Sequence, residues 1–147
     1  MREGCSPAVE PSSSTASTPQ ARLVKWISKG TPPPRAPRIN LEAHGKTVVR
    51  DANGNAVGGV RSVYVDVPAA TVMATSLAPS GVLSNPCAYL GHQLDFAPDN
   101  LEQLYGSHNG YVQRVTKEVK RLAKEGLLLP EAAREQIAAA RASNILT

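Results

Sequence analysis

The sequence predicts an α+β chain, because a valine-rich middle has the periodicity of strands and the last third has that of amphipathic helices. Between residues 40 and 75, Val63, Val65 and Val67 alternate with polar positions, the period of a half-buried strand. Over residues 109–125 the apolar positions recur mostly at three- and four-residue intervals, which indicates one face of a helix. The 147 residues suffice for a single domain.

The N-terminal part predicts a tail, a short helix and a strap. Residues 1–20 are dominated by Ser, Thr, Pro and Ala and bury too little apolar surface to offset the entropy of ordering, so we expect them to be disordered. Residues 21–39 combine a short helix over residues 21–29, ended by Gly30, with a proline-rich stretch. That stretch, residues 31–39, is predicted to be an extended strap because prolines lack the N–H group a helix needs.

Residues 40–100 predict strands and loops. An Asn-Gly dipeptide within residues 51–55 has the positive φ angles that suit a tight hairpin, so residues 47–50 are expected to pair with residues 56–60. The adjacent glycines 58–59 predict a bulge or a close backbone approach. From Pro79 to Pro98 we expect irregular, turn-rich structure.

Residues 101–147 predict a helical hairpin. Gly126 ends the first helix, and Pro130 suits the first position of a second, alanine-rich helix. The polar face of the first helix has five cations against Glu118 and Glu125, and two i, i+4 pairs, Arg114 with Glu118 and Arg121 with Glu125, support the helix. This basic face leaves open a second interpretation, a small non-enzymatic module that binds an acidic partner.

Nothing in the sequence forms a recognisable catalytic or metal-binding motif. A Gly-x-Ser-x-Gly motif is absent, and neither Ser80-Gly81 nor Ser107-His108 has the strand–turn–helix context of a nucleophile. The histidines and cysteines are too scattered for a zinc site or a disulfide framework; they are His44, His92, His108, Cys5 and Cys87. The acidic residues between the strands and the hairpin are expected in turns and at a helix start; they are Asp95, Asp99 and Glu102. We therefore predict no catalytic residue, no cofactor and no metal.

Composition excludes some partners. The net charge is +4 and the pI is about 9.3, but the charge is spread along the chain, and an aromatic content of 4% does not favour base stacking, so we do not expect nucleic acid as a partner. No window approaches the ~20 apolar residues of a membrane span, and residues 1–20 lack the apolar core of a signal peptide. No membrane partner is expected, and the location stays unknown, with the cytoplasm as the default.

Four motifs, in order, resemble the C-terminal portion of large alpha/beta-hydrolase domain proteins. They are WISKGTPPPRAPRI (26–39), RDANGNAVGGVR (50–61) with YVDVPAAT (64–71), LYGSHNGYV (104–112) and GLLLPEAA (126–133). The resemblance runs from about Ala21 to Leu146, so residues 21–147 are interpreted as this portion. The Trp-x-x-x-Gly-x-x-Pro part is also similar to the segment after the catalytic histidine of tannase-like and feruloyl-esterase-like hydrolases.

The resemblance implies ester hydrolysis by a larger protein. In such hydrolases the nucleophile, the acid and the histidine precede this region, and residues 1–20 do not resemble the family. The expected chain is therefore a fragment, inactive alone, whose partner is the missing hydrolase body or a second copy. If Val63, Val65 and Val67 face a core, Tyr64 and Asp66 share the other strand face; with Arg61, they are candidates to border the substrate cleft or the body. The alternative is a solvated strand face on which Arg61 and Asp66 are loosely paired.

Overall fold

The computed structural model describes residues 13–73 and 91–147, which form five helices and a two-stranded antiparallel sheet. The elements are α1 (Ser13–Lys29), α2 (Val63–Asp66), β1 (Ala70–Met73), β2 (His92–Asp95), α3 (Pro98–Tyr105), α4 (His108–Lys124) and α5 (Pro130–Ala142). This mixture of helices and a small sheet confirms the predicted α+β class.

The core lies where α4 and α5 pack against each other and against α2. Helix α4 buries the apolar stripe that the sequence predicts, and α5 meets it with small side chains that let the two helices approach closely. The predicted hairpin is confirmed, with Gly126 at a φ of 73° after α4 and Pro130 at the start of α5. The buried cluster comprises Val63, Val67, Val115, Val119, Leu122, Leu128, Ala132 and Ala140.

Helix α1 begins earlier than the sequence predicts. It starts at Ser13 rather than Ala21, and therefore overlaps the segment that was expected to be disordered over residues 13–20. The first 12 residues lie outside the described part of the chain. The strap that follows α1 is extended and exposed, as its prolines predict.

The predicted strand through Val63, Val65 and Val67 is wrong, because this segment forms the helical turn α2. Val63 and Val67 are buried on one side, and a four-residue spacing places two side chains on the same side in a strand and in a helix alike. Only the middle valine distinguishes the two periods, and Val65 is half-buried. Tyr64 and Asp66 consequently do not share a strand face.

The predicted hairpin turn is present, with a different backbone geometry. Arg50 pairs with Ala56 in an isolated bridge, and the Val57 N–H donates to the Val49 carbonyl at 2.9 Å. Gly54 has a φ of 76°, while Asn53 has a negative φ, so one residue of the Asn-Gly dipeptide is left-handed rather than both.

The turn is closed by a side chain. The Asp51 carboxylate accepts from the backbone N–H groups of Asn53 and Asn55, each at 2.9 Å. The predicted close backbone approach at Gly58 is confirmed: its φ is 82°, and a β-carbon there would collide with the Arg38 carbonyl, where the strap pairs with the hairpin.

The sheet joins a predicted strand to an unpredicted one. β1 lies within residues 40–75, where strands were expected, and its Ala70 pairs with Asp95 of β2 in the antiparallel register. β2 lies inside the stretch from Pro79 to Pro98 that was expected to be irregular, so that prediction was wrong for residues 92–95. Short strands of this kind depend on pairing with a distant segment, which local periodicity does not reveal.

The turn of the hairpin is fastened to β1 by Asn55. Its side-chain amide donates to the Ala70 carbonyl at 3.1 Å, and its side-chain oxygen accepts from the Val72 N–H at 2.8 Å. The Thr71 hydroxyl adds a bond to the Asn53 carbonyl at 2.7 Å. Asn55 therefore replaces a neighbouring strand along the edge of β1, which orients the hairpin and the residues after it.

Candidate functional site

Tyr64 and Tyr111 line a largely apolar cavity in the described part of the chain. This cavity, the tyrosine cavity, has a volume of about 310 Å³ and is lined by Ser62, Tyr64, Val65, Ala69, Ala70, Val72, Gln93, Tyr111 and Ile145. A second cavity of about 230 Å³ shares both tyrosines and extends between α2, α4 and α5. Apolar walls with a few polar groups are typical of sites that bind small organic groups. Of the predicted cleft residues, Tyr64 is the one that lies at such a site.

Arg61 is placed inside the protein framework. Its guanidinium donates to Asp51 at 2.7 Å, to Asp66, and to the carbonyls of Ala56 and Val65. The guanidinium therefore joins the hairpin to the C-terminal end of α2, with each of its three nitrogens bonded. The pair of Arg61 with Asp66 that was considered as the alternative is present, and the three further contacts make Arg61 a residue that positions α2 against the hairpin.

The two carboxylates at Arg61 respond differently to their surroundings. Burial acts to raise the pKa of Asp51, but hydrogen bonds from Arg61 and from two backbone N–H groups outweigh it, so the pKa lies below its ordinary value. Burial raises the pKa of Asp66 despite Arg61, and the nearby Glu118 acts in the same direction. Asp66 also accepts from Arg121 at 3.3 Å, which ties α2 to α4. Asp66 is thus directed at two arginines and away from the tyrosine cavity.

Tyr105 and Tyr111 form an aromatic pair beside the cavity. Their rings meet edge to face, with centroids 5.2 Å apart and an interplanar angle of 69°. The Tyr105 hydroxyl donates to the Pro68 carbonyl at 2.7 Å, which fastens α3 to the segment between α2 and β1. The pair fixes the Tyr111 ring as one wall of the cavity.

We expect Tyr105 and Tyr111 to resist ionisation in the folded protein. Burial raises the pKa of Tyr105 to about 12, and burial together with Tyr64 raises the pKa of Tyr111. Because unfolded tyrosine ionises at about pH 10, the stabilisation from these two groups is complete below about that pH. It is lost as the pH rises through the raised pKa of each folded tyrosine, which is about 12 for Tyr105. In an ultraviolet titration that follows phenolate formation, the transition at the highest pH should belong to Tyr105 and should disappear in Tyr105→Phe. A titration curve that is unchanged in that variant would contradict the assignment.

Ser107 and His108 have structural partners. The Ser107 hydroxyl accepts from the Gly110 N–H at 3.2 Å and caps α4. The His108 ring lies 2.8 Å from the Ile145 carbonyl through Nδ1 and 3.3 Å from the Arg141 carbonyl through Nε2. Through Ile145, this ring holds the residues after α5 against the tyrosine cavity. Both side chains therefore bond to backbone groups of the chain itself.

The family comparison covers most of the chain. The profile of the alpha/beta hydrolase domain family matches residues 5–138. The chain belongs to this family. The match confirms the resemblance to the alpha/beta hydrolase family and extends it upstream, so the expectation that residues 1–20 do not resemble the family was wrong from residue 5 onward. Neither a curated protein nor a solved structure matched this hydrolase-family chain.

The hydrolase-family chain also has a more polar depression beside its sheet. It measures about 580 Å³, and its lining includes Asp95 of β2 together with Asn100 and Gln103 of α3. Asp95 lies in β2, where it pairs with Ala70, rather than in the predicted turn, and its carboxylate accepts from the Gln93 amide at 2.6 Å. Asp99 and Glu102 lie in α3, near the helix start that was expected for them.

The remaining sequence candidates do not assemble. Across residues 13–73 and 91–147 no group of three or more His, Cys, Asp or Glu side chains is placed to hold a metal ion. His44 is exposed in a turn, and His92 lies in β2. Cys5, Cys87 and Ser80-Gly81 lie outside the described residues. Sequence reasoning missed the role of Tyr111, whose place in the apolar stripe of α4 was the available signal.

Proposed function

We propose that this chain is the C-terminal portion of an alpha/beta hydrolase that acts on carboxylic esters, and that it provides a wall of the substrate cleft. The family match over residues 5–138 supports the hydrolase assignment. The observation that supports placing the catalytic residues elsewhere concerns Ser107 and His108, the one adjacent Ser-His pair in the sequence. Ser107 caps α4 and the His108 ring contacts a backbone carbonyl, so both side chains already have structural partners. In this proposal the nucleophile and the catalytic histidine belong to a hydrolase body outside these residues.

The partner in this proposal is that hydrolase body, with self-association as the substitute when the body is absent. The tyrosine cavity opens beside the exposed Tyr64 ring, and an uncovered apolar surface of this kind is typical of an interface or a ligand groove. Arg61 and Asp66 support the proposal indirectly, because they hold α2 in the position that presents Tyr64.

The alternative, an acidic partner bound by the basic helical hairpin, is less well supported. Arg121 donates to Glu118 and to Glu125, the latter at 2.7 Å, and also reaches Asp66. These contacts neutralise one of the five cations of the α4 face within the chain itself. The predicted pair of Arg121 with Glu125 is confirmed by this arrangement.

We expect the purified chain to hydrolyse p-nitrophenyl acetate no faster than buffer, because covalent catalysis needs an activated nucleophile and a base. Ser107→Ala and His108→Gln should leave this background unchanged. Turnover that survives purification and disappears in either variant would overturn the proposal. A second test reads the genomic frames upstream of Met1, where the proposal expects a Gly-x-Ser-x-Gly motif followed by a histidine.

A further inference from the structure

Helix α1 contacts the rest of the protein through Arg22, while Lys25 and Lys29 are exposed. The Arg22 guanidinium lies against Gly126, at the turn between α4 and α5, and α1 packs beside α5. Lys25 and Lys29 follow Arg22 at spacings of three and four residues, so these cations share one side of the helix. Amphipathic helices usually dock by the opposite, apolar side.

The apolar side of α1 is directed toward solvent. Leu23, Trp26 and Ile27 follow the i, i+3, i+4 spacing of one helix face and are 53%, 51% and 79% exposed. Val24 flanks this face and is also exposed. A contiguous exposed patch of large apolar side chains marks a binding surface rather than ordinary protein surface.

The charge around this patch has a single sign. Between residues 11 and 41 the sequence contains five cations and no carboxylate: Arg22, Lys25, Lys29, Arg35 and Arg38. The strap that carries the last two is exposed along its length. Such a segment repels a second copy of itself and attracts an anionic, apolar surface.

We propose that α1 and the strap bind an anionic lipid surface, with α1 lying in the plane of the interface. A helix with lysine and arginine on its polar side, tryptophan and leucine on the other, and low overall hydrophobicity has the properties of an interfacial helix. Because the apolar side chains of α1 project from the protein rather than line a groove, they suit a flat partner surface. The sole tryptophan, Trp26, is placed where its ring would enter the headgroup region.

This binding mode requires no membrane span. No helix in residues 13–73 or 91–147 combines the length and apolar character needed to cross a bilayer. No membrane partner was expected from the sequence because it has no apolar stretch long enough to span a bilayer. An interfacial helix, however, contacts the membrane surface without crossing it. The proposal is independent of the proposed ester hydrolysis, since it uses neither Tyr64 nor the tyrosine cavity.

Because Trp26 is the single tryptophan, its fluorescence reports on α1 alone. The full chain is titrated with vesicles of phosphatidylcholine and phosphatidylglycerol in equal amounts, and separately with pure phosphatidylcholine. We expect a blue shift of the Trp26 emission and co-sedimentation with the anionic vesicles, both weakened by added salt. Equal binding to the two kinds of vesicle would overturn the electrostatic part of the proposal, and no binding to either would overturn the whole.

Matched variants separate the two contributions. Leu23→Gln should weaken vesicle binding about tenfold, whereas Leu94→Gln, at a leucine that is 49% exposed on β2, should leave it unchanged. Lys25→Gln with Lys29→Gln should weaken it about 30-fold, against no effect from the same exchange at Lys117 and Lys120.

Two further outcomes would assign the patch to a different occupant. A blue-shifted emission that depends on protein concentration in the absence of vesicles would indicate a second copy. If the Trp26 emission shifts on addition of a hydrolase body that carries the Gly-x-Ser-x-Gly motif, and does not respond to anionic vesicles, the hydrolase body is the partner that covers the patch. Either result overturns the lipid proposal, while the ester-hydrolysis assay decides the proposed function separately.

Discussion

Arg61→Ala is expected to lower the free energy of unfolding by about 3 kcal/mol, because removing one member of a partly buried ionic cluster leaves its partners uncompensated. Asp51 and Asp66 would lose their shared cation, and Ala56 and Val65 would lose a hydrogen bond to their carbonyls. The cluster is not fully buried, so water reduces the penalty below that of a dry site. Urea denaturation followed by circular dichroism measures the change.

The control for this variant is Arg134→Ala. Arg134 is three-quarters exposed and pairs with Glu131 at 3.7 Å, so its loss should cost less than about 0.5 kcal/mol. If Arg61→Ala were no more destabilising than Arg134→Ala, the assignment of Arg61 as the centre of this cluster would be contradicted. Arg61→Lys should recover part of the stability, because one ammonium group cannot reach all four partners in the geometry of a guanidinium.

Asn55→Ala is expected to destabilise the protein by about 2 kcal/mol, since it leaves a buried donor and a buried acceptor without partners. The side chain is 1% exposed and bonds both the Ala70 carbonyl and the Val72 N–H. The same urea titration gives the size of the change, and amide hydrogen exchange gives its location, with faster exchange expected at Val72.

Asn144→Ala is the matched control, because Asn144 is exposed in the segment after α5. It should change the stability by less than about 0.5 kcal/mol and should leave exchange at Val72 unaltered. Unchanged exchange at Val72 in Asn55→Ala would show that Asn55 does not secure the hairpin to β1.

Local patterns were sufficient for the parts of the fold that depend on nearby residues. The α4–α5 hairpin was predicted because its apolar stripe extends over several turns and is bounded by Gly126 and Pro130. Over that length the apolar positions fit the helical period of 3.6 residues and not the strand period of two. The turn at Asp51 and the close approach at Gly58 were also predicted, because both depend on backbone conformations that few residue types adopt. The strap followed from its prolines.

Other features depended on contacts between distant segments. The period of Val63 and Val67 fits a strand and a helix equally, and the contact of α2 with α4, together with the Arg61 bonds, decides for the helix. β2 exists because β1 is placed opposite it.

The sequence by itself determined the α+β class, the family and the helical hairpin, since these follow from periodicities and motifs written along the chain. Only the tertiary structure decided that Tyr64 belongs to a cavity while Arg61 and Asp66 belong to the framework. The reason is geometric: successive residues differ in direction by about 100° in a helix and about 180° in a strand. Once α2 was helical, Tyr64 lay at the cavity, while Asp66 was directed at Arg61 and Arg121.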